Sequence, residues 1–104
     1  MMRTNPCPGE FWRHFKNVVY KIICVGHHSE TGEKLVVYVR CRKERRDKAV
    51  MDLDRLVGFK RTYTYVAEDM EPCIRPLEMF MSEVDRVKYP DAPQHFRFEK
   101  VEDL

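Results

Sequence analysis

Two groups of residues in this chain have types and spacing that could do chemistry. Arg40, Arg42, Lys43, Glu44, Arg45, Arg46, Asp47 and Lys48 form a charge run in which six of the eight residues are basic. Cations at that density can neutralise phosphates. Lys60, Arg61, Tyr63 and Tyr65 then interleave cations with rings on which bases could stack. A nucleic-acid-associated module contacting its partner through Arg40, Arg42, Lys43, Arg45 and Arg46 is therefore one reading. Asp52, Asp54, Glu68, Asp69 and Glu71 follow closely, so the charge is local, and a solvated rim is the plainer account. The second group is His27-His28. Neighbours on a strand point to opposite faces, so the two rings cannot grip one ion while the strand stays regular. No carboxylate or thiol stands at ligand spacing, and neither a metal nor another cofactor is expected.

Nucleophilic catalysis has no local signature. There is no G-x-S-x-G elbow and no glycine-rich phosphate loop. Cys7, Cys24, Cys41 and Cys73 are widely and irregularly spaced. They read as reduced thiols, two of them inside strands, and not as a disulfide or zinc framework. The 104 residues fit one domain, and a net charge of +2 sets up no global field toward nucleic acid or membrane. No run approaches the ~20 apolar residues that span a bilayer. The first ten residues hold no apolar core of a secretory signal, which predicts a cytoplasmic protein.

Several elements must position these residues. Residues 18–28 and 34–41 are β-rich runs on either side of Ser29-Glu30-Thr31-Gly32-Glu33. This predicts an antiparallel hairpin whose loop closes at Gly32 in a positive-φ conformation. Residues 1–9, with Pro6, Pro8 and Gly9, read as an irregular arm, and residues 10–104 as one β-rich domain. FWRHF reads as an edge strand, with a turn at Lys16-Asn17. On the first long strand Val19, Lys21, Ile23, Val25 and His27 share one face and Tyr20, Ile22, Cys24, Gly26 and His28 the other. Ala49, Val50, Leu53, Leu56 and Val57 recur with a helical period before Gly58, which predicts a helix over residues 45–57. Residues 59–66 alternate as a strand. Pro76 opens a helical turn to about residue 82, with Leu77, Phe80 and Met81 inward. Residues 95–101 close the chain as a strand. The fold class is mainly β: a small SH3-like barrel or a strongly bent antiparallel sheet, with one inserted helix. Ile23, Val25, Leu35, Val37, Leu77 and Phe80 are the expected core.

The segments WRHFKN with Tyr20 beyond, HSETGEKLVVY, IRPLEMF and FRFEKV resemble a small bacterial family, domain of unknown function 1653. The resemblance covers residues 11–41 and 73–101 and implies a compact, mostly β domain without an established activity. The chain departs from the family pattern at Cys73, where members usually carry Trp, and at Asn17, where a Gly-like turn residue is usual. Residues 42–71 are longer than the family's link and read as an insertion, packed on the sheet through Val50, Leu53, Leu56 and Val57.

The polar residues that match the family are His14, Lys16, His28, Glu30, Thr31, Tyr38, Arg75 and Glu78. Of these, His28, Glu30, Thr31, Tyr38, Arg75 and Glu78 form the candidate ligand site. His28, Tyr38 and Arg75 would line one pocket, with the Arg75 fork holding an anion or carboxylate. The alternative is structural: Ser29 and Thr31 shape the turn, and Arg75 and Glu78 form ion pairs that hold the RPLEMF turn to the sheet. The leading expectation is a non-enzymatic binding module for a small anionic molecule or peptide. The nucleic-acid module comes next, and an accessory enzyme of nucleotide or small-molecule metabolism is the weaker alternative.

Overall fold

Turn chemistry and alternation build the sheet hairpin by hairpin in the computed structural model, which describes residues 3–102. Strand β1 is Phe11–His14 and β2 is Val18–His27. The tight turn between them is closed by the Asn17 N–H donating to the His14 carbonyl at 2.8 Å, with Asn17 at φ 66°. Asn tolerates that region because its short polar side chain bonds locally. Strand β3, Lys34–Asp52, pairs antiparallel with β2 through the expected loop, and Gly32 sits at φ 76°. Then come β4 (Arg55–Ala67), β5 (Cys73–Pro76), the single helical turn α1 (Leu77–Phe80) and β6 (Phe98–Lys100).

The sheet order is β4-β3-β2-β1-β6, with β5 on β3. Its described strands do not close into a barrel; the mainly β, antiparallel class is as expected. The FWRH strand is interior, between β2 and β6, not an edge.

The core lies on one face of this sheet. Trp12, Ile22, Val36, Tyr38, Phe80 and Phe98 form its buried cluster. Phe80 and Phe98 stack with centroids 4.0 Å apart, and Trp12 and Tyr38 each meet Phe80 edge-on at 5.5 Å. Large rings bury the most area per residue, so these few side chains dominate the apolar contribution. Of the expected core only Phe80 is fully buried; Val25, Leu35, Val37 and Leu77 are half-buried and Ile23 is exposed. The reason is local. A bulge between Ile22 and Cys24 makes Ile23 an extra residue, so inward positions run Tyr20, Ile22, then Val25. On β3 the ring cluster takes the face of Val36 and Tyr38, and Leu35 and Val37 on the other face are half-buried.

Residues 45–57 are not a helix. They form the outer part of β3, the turn and the start of β4, a two-stranded ribbon paired from Cys41↔Ala67 to Asp52↔Arg55. Leu53 and Asp54, at φ 48° and 65°, are the two central residues of a tight turn that needs positive φ at both. The apolar spacing that mimics a helix is also readable as a hairpin, and residues 59–66 need a partner strand; pairing overrides the helical period. Val50, Leu53, Leu56 and Val57 pack on nothing: all four are exposed, Leu53 at 95%. The ribbon projects as an arm. The radius of gyration is 17.4 Å, against about 13 Å for a compact chain of this length.

Candidate functional site

β1 places His14 at its end, and the turn after it carries Lys16. β5 pairs Arg75 with Val36, which turns the guanidinium onto the core face, 5.7 Å above the Phe98 ring. β6 begins one residue after Arg97, whose carbonyl accepts from the Phe15 N–H at 2.9 Å. The loop after α1 brings up Lys88 and Tyr89. These residues meet around a cleft of about 320 Å³ lined by His14, Phe15, Lys16, Arg75, Asp85, Lys88, Tyr89 and Arg97.

Four permanent cations thus face one carboxylate, and that carboxylate is occupied. Asp85 Oδ1 accepts the Val87 N–H at 3.0 Å and the Lys88 N–H at 3.3 Å, so it serves the loop's own turn. Among the described residues, Lys16, Arg75, Lys88 and Arg97 make no ion pair. His14 registers the resulting field. Burial first, then the charges of Arg75, Lys16 and Arg97, push its imidazole down to about 4. Its Nδ1 accepts the Lys16 N–H at 3.1 Å, which leaves Nε2 as the protonated nitrogen of a neutral ring. A neutral donor ringed by cations can hold a phosphate or carboxylate through charge-assisted bonds. Tyr38 stands behind Arg75. Burial raises its phenol's pKa and the Arg75 charge opposes that rise.

The six expected ligand residues do not gather at one point. Tyr38 and Arg75 are neighbours. His28 lies beyond the end of β2, three residues past the Val25 position that pairs with Val36, roughly 10 Å along the strand. Its Nδ1 accepts the Glu30 and Thr31 N–H groups at 3.2 and 3.4 Å, and Thr31 Oγ1 accepts the Glu33 N–H at 3.2 Å. His28 and Thr31 therefore shape the loop, and Glu30 is exposed on it. Glu78 lines a different hollow with Glu33, Lys34, Leu77, Met79 and Met81. That hollow is larger, about 600 Å³, but it is apolar and its two carboxylates face one lysine; nothing in it converges on an anion. Among the described residues neither Arg75 nor Glu78 makes an ion pair, so the turn is not held to the sheet in that way.

Sequence reasoning singles out Arg75, holds His14 and Lys16 only as residues matching the family, and misses Lys88 and Arg97. Arg97 carried a signal: it alternates between Phe96 and Phe98 on the closing strand. Lys88 carried none, because a loop sets its place.

The basic run is split by strand alternation. Arg42 and Arg46 fall on one ribbon face and Lys43 and Arg45 on the other. Arg42 and Arg46 both pair with Glu44, at 2.7 and 3.3 Å, and Arg45 pairs with Asp47 at 2.9 Å. Lys43 lies 4.7 Å over the Tyr63 ring. At the arm's base Arg40, Arg42 and Lys43 meet Arg13 around a second cleft. The four cysteines are free, and Cys41 is buried. No described helix is long and apolar enough to cross a membrane.

The fold and cleft define a small, open, antiparallel β domain with a cationic hollow at one end. Residues 10–51, about two fifths of the chain, are similar to the model of the family described as Protein of unknown function (DUF1653). The match covers β1, β2 and β3 as far as Met51, so it runs into the stretch read as an insertion, whereas residues 73–101 lie outside it. No curated protein and no solved structure matches the chain.

Proposed function

We propose that the protein is a non-enzymatic binding module for a small anion, a molecule bearing a phosphate or carboxylate group. One observation carries the reading: Lys16, Arg75, Lys88 and Arg97 surround a cleft in which the only carboxylate is already bonded to its own loop. The Arg75 fork supplies paired donors, His14 supplies a neutral N–H, and the Tyr89 and Phe15 rings, 4.9 Å apart, form an apolar wall for the rest of the ligand. An SH3-like barrel opened at one seam and a cytoplasmic setting go with this reading; the free thiols favour a reducing compartment.

Calorimetric titration with inorganic phosphate, then with phosphorylated and carboxylated metabolites, tests it. Saturable binding that Arg75→Gln and Arg97→Gln each weaken about tenfold or more supports the reading, since a hydrogen bond to a charged group contributes ~1.5–3 kcal/mol. No heat at millimolar ligand, or binding indifferent to both substitutions, removes it.

The nucleic-acid reading keeps one specific observation. Arg13, Arg40, Arg42 and Lys43 line one cleft at the base of the arm. Oligonucleotide binding there would weaken steeply with salt and lose about one unit of salt slope for each phosphate contact removed.

A further inference from the structure

The β3–β4 arm is built like half of something. A lone two-stranded ribbon is marginal in water, yet this one runs for twelve paired positions with Met51, Leu56, Val57, Phe59 and Tyr63 exposed. It also leaves two strand edges open. Beyond Cys41, β3 pairs only with β4, and β4 pairs only with β3. The two edges differ. From Arg42 to Lys48 every residue of β3 is charged, the pattern that blunts an edge against association. Over residues 55–66, β4 has charges only at Arg55, Lys60 and Arg61, no proline, and the apolar run Leu56, Val57, Phe59. This is the edge that invites another strand.

We infer that the edge of β4 pairs antiparallel with β4 of a second copy, about a two-fold axis at Thr62. The residues themselves select that register. Centred on Thr62, Arg61 lies opposite the partner's Tyr63, Phe59 opposite the partner's Tyr65, and Lys60 opposite the partner's Thr64. Arg55, near the tip, comes alongside Glu68 and Asp69 of the partner subunit. Cation–ring and ring–ring pairs directly across a ladder stabilise it, and like charges across it oppose pairing. Sliding by two residues sets Arg61 against the partner's Arg61 in one direction. In the other it sets Phe59 against the partner's Ala67, so that two Phe59–Tyr65 ring pairs give way to one pairing of Tyr63 with the partner's Tyr63. The rings of β4 stay on one face in the Thr62 register, because residues 59, 61, 63 and 65 share it. A nucleic acid is the less suitable occupant. Asp52 and Asp54 flank the tip, and three of the arm's arginines are already paired with Glu44 and Asp47.

Sedimentation of the full chain over a concentration series tests the pairing. The expected result is a reversible monomer–dimer equilibrium that Phe59→Ala weakens about tenfold or more, because one ring pair is lost at each of two symmetric places. Phe59 is 68% exposed, so far-UV dichroism of the variant should match wild type. Register is read by Thr62→Cys in a chain carrying Cys7→Ser, Cys24→Ser and Cys73→Ser. Thr62 faces its own copy across the axis, so mild oxidation should give a disulfide-linked dimer, while Lys48→Cys in the same background should not. A monomer up to about 1 mM overturns the inference, as does a dimer indifferent to Phe59→Ala. Efficient cross-linking through residue 48 in place of residue 62 overturns it too. So does an arm that protects its amides only when duplex DNA is added.

Discussion

The two halves of strand β3 differ in composition and have opposite fates. From Lys34 to Cys41 the strand lies between β2 and β5, and Val36, Tyr38, Val39 and Cys41 are buried. From Arg42 to Asp52 it has one neighbour, and no residue is buried. The inner half is rich in β-branched residues, whereas the outer half opens with seven charged ones and is a strand all the same, held by its pairing with β4. Cover differs too: Trp12, Phe80 and Phe98 close over the inner half, and nothing among the described residues closes over the outer half. Strand formation thus follows what a segment can pair with and pack against more than its own residue preferences.

The comparison breaks most sharply at the rings. Phe98→Ala should cost the body ~3–5 kcal/mol, because it opens a cavity beside Phe80 and Tyr38. Phe59→Ala in the arm should cost less than ~0.5 kcal/mol in the monomer. Urea unfolding of both variants measures the contrast, and equal losses would erase it.

Much of this division was legible in the sequence. Gly32 in its cluster fixed the β2–β3 hairpin, Asn17 the β1–β2 turn, and Pro76 with Leu77 and Phe80 the short helical turn. The core face was not legible, because one bulged residue, Ile23, inverts the alternation and no residue type marks it. The arm was misread because Val50, Leu53, Leu56 and Val57 satisfy a helical period by spacing alone. The cleft was half legible. Arg75 stood out by chemistry, whereas Lys88 and Arg97 reach it through long-range pairing that local pattern does not encode.

A smaller effect belongs to the hairpin loop of the body. Gly32→Val should destabilise by roughly 1–2 kcal/mol, since a β-branched residue resists the φ of 76°. Thermal melts would show it, and an unchanged midpoint would mean that the loop relaxes. The arm's turn predicts the opposite sign. Leu53→Asn with Asp54→Gly supplies residues suited to two positive φ values and should stabilise the arm by about 1 kcal/mol. Amide exchange of the residues flanking the turn should slow, while exchange of Val36 and Tyr38 stays the same. Faster exchange at the turn would show that its conformation is not the one described.

A further effect is on pH dependence. His14 titrates near 4 when folded and near its ordinary value when unfolded. Above about pH 6.5 both states are neutral there, and His14 adds no pH dependence. As pH falls from about 6.5 toward 4, the unfolded chain takes up the proton first, so stability drops, and the drop levels off below the folded value. His14→Gln should flatten that part of the melting-temperature profile. Arm variants should leave it intact.

The most direct measurement follows the His14 ring by NMR through a pH titration, with and without inorganic phosphate. An anion held by Lys16, Arg75, Lys88 and Arg97 offsets the field that keeps the ring neutral. The predicted result is an apparent pKa that starts near 4, rises with phosphate, and loses that response in Arg75→Gln. A ring that titrates at its ordinary value, or one that phosphate leaves unmoved, would contradict the cationic site.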